Sequence, residues 1–329
     1  MRILILSNIN RMLDEGQRNV AIRIATELSK RHDVNHVNAK ESVLSRNFWR
    51  ETKQFQPDII HIFLRPCMKT LILSKTLKTI CPNAKMIISA LQPPLKPNII
   101  KFSIPDLVLA ISRETKELFT KYGCRTMFLR CGVDTEKFVP VNGGRKIFLR
   151  KKYGINESKF VVLHVGSLTE GRNLLPMIEI QNENDNQVLI VSNITFPQNQ
   201  KTYIDLKESG CIVYHEYFEN IVEIYQLADC YLFPTLNPSN CIELPLSILE
   251  AMSCNLPVVT TKFRAVPEFF DEGNGLFFID KKMDFLQVIN IIKKKEIPIK
   301  TRDKVMHLTW ENVVLDLENI YRKLIDEQD

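Results

Sequence analysis

The sequence predicts an α/β protein built from two doubly wound parallel sheets. Short apolar runs alternate with segments of helical period, which is the pattern of strands joined by crossover helices. The alternation begins near Arg2 and begins again at Phe160, and 329 residues exceed what one ordinary core accommodates. We therefore expect two Rossmann-like domains facing a cleft, with ligands at the carboxyl ends of the strands.

The first half of the chain supplies seven predicted elements. The helix at 18–31 is predicted from Val20, Ala21, Ile24 and Leu28, which share one helical face. The strands are short runs of isoleucine, leucine and valine between polar segments. The elements are a strand at 2–7, a helix at 18–31, a strand at 58–63, a helix at 66–80, strands at 85–89 and 107–111, and a helix at 113–122.

The second half repeats the pattern. Strands are predicted at 160–165, 187–191, 212–214, 230–233 and 257–260, with helices at 245–252 and 309–325. The predicted domains are 1–140 and 158–308, with a linker at 141–157 and a C-terminal helix at 309–329 that is expected to cross back to the first domain. The basic run of the linker suggests a solvated interdomain helix.

Composition restricts the class of protein. Hydrophobic residues make up 45% and charged residues 25%, which is typical of a soluble globular protein. No apolar stretch approaches the length of a membrane span, roughly 18 residues. The eight cysteines form no Cys-x-x-Cys pair, and the six histidines have no metal-ligand spacing. We expect a cytoplasmic protein with reduced thiols and neither a metal nor another cofactor.

Positive charge is concentrated in the first half of the chain. Residues 1–140 hold 23 Lys and Arg against 12 Asp and Glu, whereas the remainder holds 21 against 26. Such an excess suggests an anionic partner, such as the inner face of an anionic membrane or a lipid phosphate. A general basic bias of the source proteome would give the same excess. Nucleic acid is not expected, because aromatic residues are not interleaved with the basic ones.

The segment 236–260 carries the most chemical information. A loop at 236–240 precedes a helix that begins near Pro245, where the missing N–H of proline has no cost. The N-terminus of a helix can hold a phosphate, and carboxylates such as Glu243 and Glu250 can accept two hydroxyl groups of a ribose or sugar. Together these features suit a nucleotide sugar. An ordinary amphipathic helix with two solvated glutamates is the alternative.

These residues resemble a known family. Leu-Glu-Ala-Met at 249–252, Leu-Pro-Val-Val-Thr-Thr at 256–261 and Val-Pro-Glu at 266–268 are similar to the donor-site signature of retaining glycosyltransferases with the GT-B fold, in particular glycosyltransferase family 4. Motifs at 57–62, 132–138, 165–173 and 228–229 fall in the same order, so the resemblance covers nearly the whole chain. It implies a nucleotide-sugar-dependent, metal-free mechanism in which the leaving phosphate accepts the acceptor's proton.

The resemblance also implies site residues. Gly166, Ser167 and Arg172 occupy the turn that contacts the diphosphate, with Arg172 as the cation and Ser167 in place of a second one. Glu250 matches the glutamate that binds the ribose. Leu246 and Ser247 begin the donor-site helix. A surface position for Arg172 is the alternative to its phosphate role.

Three positions depart from the family pattern. Isoleucine stands at 242, where the first glutamate of the signature is expected, so either Glu243 contacts the donor sugar from the next position or the contact is lost. Arg264 stands where a Gly-Gly turn is usual, and either reaches a phosphate or lies on the surface. Gly16 is what remains of an N-terminal glycine loop that approaches the acceptor or a phosphate. Arg172 and Glu243 are the catalytic candidates.

The predicted function is transfer of a hexose or N-acetylhexosamine from a nucleotide-diphosphate sugar to a glycan or lipid-linked glycan, in surface polysaccharide or glycoconjugate synthesis. Two alternatives stay open. A GT-B protein with a degraded donor site would bind or scaffold a partner, which the residues at 167, 242 and 264 favour. A sugar-nucleotide epimerase would need acid/base carboxylates and a histidine that the donor segment does not clearly offer.

Overall fold

The computed structural model describes residues 1–9, 15–94, 96–194, 198–237, 241–279 and 284–327. Contacts divide the chain into two compact units. Unit 1 comprises Met1–Gly132, Cys241–Leu244 and Trp310–Asp329, and unit 2 comprises Val133–Asn240 and Pro245–Thr309. Residues 238–240 of the predicted donor loop lie outside the described residues.

Unit 1 contains a six-stranded parallel sheet in the order β2-β1-β3-β4-β5-β6. The residues of β1 after Arg2 and all those of β3, β4 and β5 are buried, because crossover helices cover a parallel sheet on both faces. The elements are β1 (Arg2–Ser7), α1 (Gly16–Leu28), β2 (Asp33–Asn38), α2 (Ala39–Ser42), α3 (Arg46–Phe55), β3 (Ile59–Ile62), α4 (Met68–Ile80), β4 (Lys85–Ala90), a 3₁₀ helix (Pro97–Phe102), β5 (Leu107–Ala110), α5 (Arg113–Lys121) and β6 (Thr126–Phe128).

Unit 2 contains a second six-stranded parallel sheet, in the order β12-β11-β10-β7-β8-β9. The predicted α/β class, with two doubly wound sheets, is therefore confirmed. The elements are α6 (Gly143–Lys152), β7 (Phe160–Val165), α7 (Leu175–Gln181), β8 (Asn186–Ser192), α8 (Gln200–Glu208), β9 (Ile212–His215), α9 (Val222–Leu227), β10 (Cys230–Phe233), α10 (Leu246–Ser253), β11 (Val258–Thr261), α11 (Val266–Phe269), β12 (Leu276–Ile279), α12 (Phe285–Lys293) and a 3₁₀ helix (Arg302–Lys304).

The sheet of unit 2 changes direction at β7. From β7 the chain moves outward to β8 and β9 on one side, and the later strands β10, β11 and β12 lie on the other side. In doubly wound sheets, ligands bind at such a switch point, beyond the carboxyl ends of the strands. The turn after β7 and the loop after β10 meet this condition.

The basic run after Gly143 is part of unit 2. Helix α6 packs against α9, and the Arg150 side chain is buried. Its Nε donates to the Leu227 carbonyl at 3.0 Å, and the guanidinium pairs with Asp229. The expectation of a solvated interdomain helix is wrong for this residue, because the half-buried Asp229 carboxylate and backbone carbonyls accept the buried arginine.

The last helix, α13 (Trp310–Asp326), belongs to unit 1 and contacts α1. Its apolar face is buried, as the period of the sequence predicts. The Tyr321 hydroxyl lies 2.5 Å from Nδ1 of His61 in β3, and His61 Nε2 lies 2.7 Å from Ser89 Oγ in β4. This buried chain of hydrogen bonds joins the helix to the centre of the sheet.

Candidate active site

Helix α10 presents two polar side chains on an otherwise buried helix. Of its eight residues, only Ser247 and Glu250 are partly exposed. They lie three positions apart and therefore on the same face. Pro245 occupies the N-cap with φ −63° and ψ 125° and brings no side-chain oxygen to the first turn. The helix begins one residue later and ends one residue later than the sequence predicts. Leu246, a predicted donor contact, is buried.

Glu250 is held by a residue that the sequence analysis did not identify. The Tyr225 hydroxyl of α9 donates to Glu250 Oε2 at 2.7 Å. Tyr225 is fully buried, and burial together with the nearby carboxylate raises its pKa well above the usual value. The hydroxyl therefore stays protonated and donates. This contact excludes the alternative of a purely solvated glutamate at this position.

Gly166 follows β7 at the switch point of the sheet. Its backbone N–H donates to the Val191 carbonyl at 3.0 Å. A Cβ at this position would lie 3.0 Å from Nε2 of His164 and 3.4 Å from Nη1 of Arg172. The glycine is needed because two polar side chains occupy the space beside it.

Arg172 is buried, with 7% of its surface exposed, so the alternative of an ordinary surface arginine is wrong. Its Nε donates to Ser167 Oγ at 3.2 Å, and its guanidinium carbon lies 5.8 Å from the ring centre of Phe233, the last residue of β10. The next residue, Asn173, donates through Nδ2 to the Pro234 carbonyl at 3.1 Å. The turn after β7 thus places the cation beside the end of β10.

His164 lies behind this turn and was not predicted. Its Nδ1 is 2.9 Å from the Leu232 carbonyl, so Nδ1 carries the proton and Nε2 is an acceptor. Burial, together with a smaller effect of the nearby Arg172 cation, lowers the pKa of His164 to about 4. The ring is therefore neutral at pH 7. Nε2 is buried without a hydrogen-bond partner among the described residues.

Glu243 belongs to unit 1, where its carboxylate is fully buried at the start of α5. Oε2 accepts the Ser112 N–H at 3.1 Å, and Oε1 accepts the hydroxyl groups of Ser112 at 2.9 Å and Thr115 at 2.7 Å. Both oxygens therefore bond to α5 residues. In this structure the Glu243 carboxylate bonds to Ser112 and Thr115. The predicted catalytic contact between Glu243 and a donor sugar stays a prediction.

Gly16 and Arg264, both predicted contacts, lie in constrained local surroundings. A Cβ on Gly16 would lie 3.2 Å from Cδ1 of Ile242, so the glycine accommodates this isoleucine within unit 1. Arg264 is half-buried and has φ +43°, the left-handed conformation for which a glycine would be usual. Their predicted acceptor or phosphate contacts stay predictions.

Comparison with known proteins agrees with this geometry. Residues 159–292 match the family described as Glycosyl transferases group 1. Over this segment the chain is similar to that family. The matched segment contains β7, β10 and α10, and with them Gly166, Ser167, Arg172, Ser247 and Glu250. The resemblance on which the sequence analysis relies is confirmed.

Two curated proteins match part of the chain. EpsD of Bacillus subtilis (strain 168) is 25% identical over 154 residues, which are 45% of this chain and 39% of that protein. N-acetyl-alpha-D-glucosaminyl L-malate synthase of Bacillus anthracis is 23% identical over 189 residues, which are 53% of this chain and 48% of that enzyme. The match thus spans less than half the length of these relatives.

A solved structure matches the whole chain. Anabaena Alr3699/HepE, in complex with UDP and glucose, superposes with a TM-score of 0.77 at 16% identity, covering 98% of this chain and 100% of that one. At this identity the likeness concerns the fold, and it confirms the prediction of two Rossmann-like domains of the GT-B type.

Proposed function

We propose that this chain is a retaining glycosyltransferase that transfers a hexose or N-acetylhexosamine from a nucleotide-diphosphate sugar to a glycan or lipid-linked glycan. The observation that carries the proposal is the open polar face of α10 beside the buried Arg172 cation. Ser247 and Glu250 are the partly exposed residues of that helix, and both lie in the segment 159–292 that matches the family.

Each part of this cluster suits one part of the donor. Glu250 offers a carboxylate to the two ribose hydroxyls, and the start of α10 offers backbone N–H groups to a phosphate. Arg172 supplies the positive charge that stabilises the diphosphate as the bond to the sugar breaks. The leaving phosphate then accepts the acceptor's proton, so the mechanism needs no protein base. Nucleotide binding by HepE supports the choice of donor class.

A metal is not part of the proposal. Within the described ranges, no group of three or more His, Cys, Asp or Glu side chains has an arrangement that could hold a metal ion. All eight cysteines are free thiols, which is consistent with the proposed cytoplasmic location.

The donor proposal is tested by calorimetry with UDP, GDP, ADP and CDP. We expect the wild type to bind one of them, and Glu250→Ala to weaken that binding by on the order of 1.5–3 kcal/mol, about 10- to 150-fold, through loss of charge-assisted hydrogen bonds. Glu208→Ala, which changes an exposed glutamate of α8 in the same unit, is the control. Absence of binding to all four nucleotides would favour the degraded, scaffolding alternative.

For the acceptor side we propose an anionic membrane surface, on the basis of two lysine–aromatic pairs of unit 1. In each pair a lysine lies over an exposed aromatic ring: Lys75 Nζ is 5.1 Å from the ring centre of Phe102, and Lys116 Nζ is 4.5 Å from that of Phe128. We call these residues, with Ile72, the lysine–aromatic surface. Lysines at a membrane attract anionic lipid while apolar side chains enter the interface.

This proposal concerns peripheral binding. In the part of the chain that the structure describes, no helix has both the length and the apolar character that a membrane span requires. Co-sedimentation with vesicles containing phosphatidylserine should be strong at low salt and weak at 1 M salt, where the Debye length is about 3 Å.

A matched pair of charge reversals identifies the surface. Lys75→Glu/Lys116→Glu should abolish co-sedimentation, because each lysine contributes about 1 kcal/mol and each reversal also adds repulsion. Lys40→Glu/Lys53→Glu changes the net charge equally at exposed positions of α2 and α3, and should retain most of the binding. Equal partitioning of the wild type with neutral and anionic vesicles would support a soluble acceptor.

A further inference from the structure

Two fully buried tyrosines support the polar face of α10. Tyr225 of α9 donates to Glu250 Oε2 at 2.7 Å. Tyr231 of β10 donates to the Val165 carbonyl at 3.3 Å, and its hydroxyl lies near the side chain of Ser247. The ring centres of the two tyrosines are 6.0 Å apart. Thus each partly exposed side chain of α10 lies beside the hydroxyl of one buried tyrosine.

The hydroxyl groups, rather than the rings, require explanation. A phenylalanine would fill the same apolar space without placing a polar atom in the core, where an unpaired hydroxyl is costly. Both tyrosines have a raised pKa, caused first by burial, so both hydroxyls are donors at neutral pH. They donate to Glu250 and to the carbonyl that precedes Gly166, and the Tyr231 hydroxyl also lies near Ser247.

We propose that Tyr225 and Tyr231 are positioning residues for a nucleoside diphosphate. Tyr225 orients the Glu250 carboxylate toward the ribose diol. Tyr231 joins Ser247 to the turn at Val165 and Gly166, and so fixes the two sides of the diphosphate site relative to each other. This inference rests on the proposed function, and it adds a supporting layer that acts through Glu250 and Ser247.

The energetic reason is preorganisation. A glutamate side chain has several rotatable bonds, and a ligand that must immobilise it loses affinity. The bond from Tyr225 fixes the carboxylate before the nucleotide arrives. Loss of one such restraint should weaken binding by about 2- to 13-fold, which corresponds to about 0.5–1.5 kcal/mol per immobilised side chain.

The experiment uses pairs of nucleotides that differ only in the ribose. Affinities of the full-length protein are measured by calorimetry for UDP, GDP, ADP and CDP, for their 2′,3′-dideoxy analogues and for pyrophosphate. The wild type should prefer the ribonucleotide of the pair that it binds. Tyr225→Phe should reduce that preference about 2- to 13-fold and leave affinity for the dideoxy analogue unchanged. Tyr231→Phe should weaken both nucleotides and pyrophosphate.

Two controls separate positioning from stability. Tyr321→Phe removes an equally buried, hydrogen-bonded hydroxyl in unit 1, and should lower the melting temperature without changing any nucleotide affinity. In a Glu250→Gln background, Tyr225→Phe should no longer have its full effect on the ribose preference. If Tyr225→Phe does not fold, Glu250→Asp, which withdraws the carboxylate by one methylene, provides the same comparison.

The outcomes distinguish this inference from the proposed function. A wild type that binds none of the four nucleotides overturns the proposed function. A wild type that binds one of them but does not prefer ribose, or a Tyr225→Phe variant that keeps the full preference, overturns only the positioning role. Equal losses for ribonucleotide and dideoxy analogue would also overturn it, because they would show a general effect on the fold.

Discussion

The N-termini of α5 in unit 1 and α10 in unit 2 are built in opposite ways. At α5, Ser112 caps the helix by accepting the Thr115 N–H at 3.1 Å, and the buried Glu243 carboxylate lies against the same turn. At α10, Pro245 occupies the N-cap and contributes no side-chain oxygen. Because a helix N-terminus attracts negative charge, the chain itself supplies the anion at α5, whereas α10 can receive one from a ligand.

The two glutamates on either side of Pro245 differ in the same way. Glu243 is fully buried and bonded to α5, while Glu250 is partly exposed and bonded to one buried tyrosine. Two glutamates that are close together in sequence therefore have different surroundings. A carboxylate identified from a sequence motif becomes a binding candidate only when its exposure and its partners leave it accessible.

The largest effect should come from Glu243. Glu243→Ala leaves the Ser112 and Thr115 donors buried without this acceptor, and we expect unit 1 to lose on the order of 4 kcal/mol of unfolding free energy. Both tryptophans, Trp49 and Trp310, lie in unit 1, so their fluorescence reports its unfolding in urea. Glu243→Gln, which keeps one acceptor oxygen, should lose less.

The same variant can also break the comparison. Nucleotide affinity of folded Glu243→Ala should equal that of the wild type, because the bonds of Glu243 lie in unit 1. A loss of more than about tenfold in nucleotide affinity with unchanged stability would instead support the contact between Glu243 and the donor that the family resemblance implies.

Arg172→Ala should reduce turnover by about 100-fold and weaken nucleotide binding much less. The cation matters most as charge develops on the leaving diphosphate, and removal of one such donor typically costs about 2.7–4 kcal/mol of transition-state stabilisation. Turnover is measured with the donor that the nucleotide panel identifies. Arg172→Lys should be intermediate, and Arg50→Ala, an exposed arginine of α3, should have no effect. Wild-type turnover in Arg172→Ala would remove this residue from the site.

The two buried histidines predict how stability depends on pH. Burial lowers the pKa of His61 to about 3 and that of His164 to about 4. In the unfolded chain both titrate near 6.5, so the unfolded state binds more protons below that pH. Stability should therefore fall as pH decreases through 6.5, and the loss should end near these folded-state values. Each histidine should cost about 2 kcal/mol between pH 7 and pH 5.

Urea titrations at pH 5, 6, 7 and 8 test this pair. His61→Gln should flatten the pH dependence that tryptophan fluorescence reports for unit 1, and His164→Gln should flatten the dependence of the remaining circular dichroism transition. At pH 7 the first substitution should cost more, because both ring nitrogens of His61 are hydrogen-bonded and only one of His164 is. An unchanged slope in both variants would contradict the linkage.

The smallest effect should come from Arg264. A residue other than glycine at φ +43° carries a conformational cost, about 1–2 kcal/mol for the left-handed region. Arg264→Gly should therefore raise the unfolding free energy of unit 2 by up to about 1 kcal/mol. Arg264→Ala keeps that cost and should not stabilise. Loss of nucleotide affinity in both variants would support the predicted phosphate contact.

The strands that the sequence predicts best are those in the middle of each sheet. Strand β1 has the predicted bounds, as does β7, which is the first strand of unit 2 along the chain but an interior strand of its sheet. Strands β2, β6 and β12 were missed, and each lies at an edge of its sheet. Strands β2 and β6 contain mainly half-exposed residues, so they lack the continuous apolar run by which a buried strand is recognised.

The site could be predicted only where chemistry is local in sequence. Gly166, Arg172 and Glu250 belong to short motifs, and all three lie in the segment that is similar to the Glycosyl transferases group 1 family. Tyr225 belongs to the buried helix α9 and Tyr231 to the apolar run of β10, and each looks like an ordinary core residue until its hydroxyl partner is known. The position of Glu243 was equally hidden, because its partners are about 130 residues away in the chain.

The discontinuity of unit 1 has a consequence for synthesis. Its six strands are complete at Phe128, but the Cys241–Leu244 segment emerges only after the first part of unit 2, and α13 emerges after nearly all of unit 2. The interval between Gly132 and Trp310 corresponds to roughly 10–35 s at ordinary rates of translation. Throughout that time His61 lacks Tyr321, and for more than half of it the start of α5 lacks Glu243. The domain that leaves the ribosome first is therefore the last to acquire its buried polar partners.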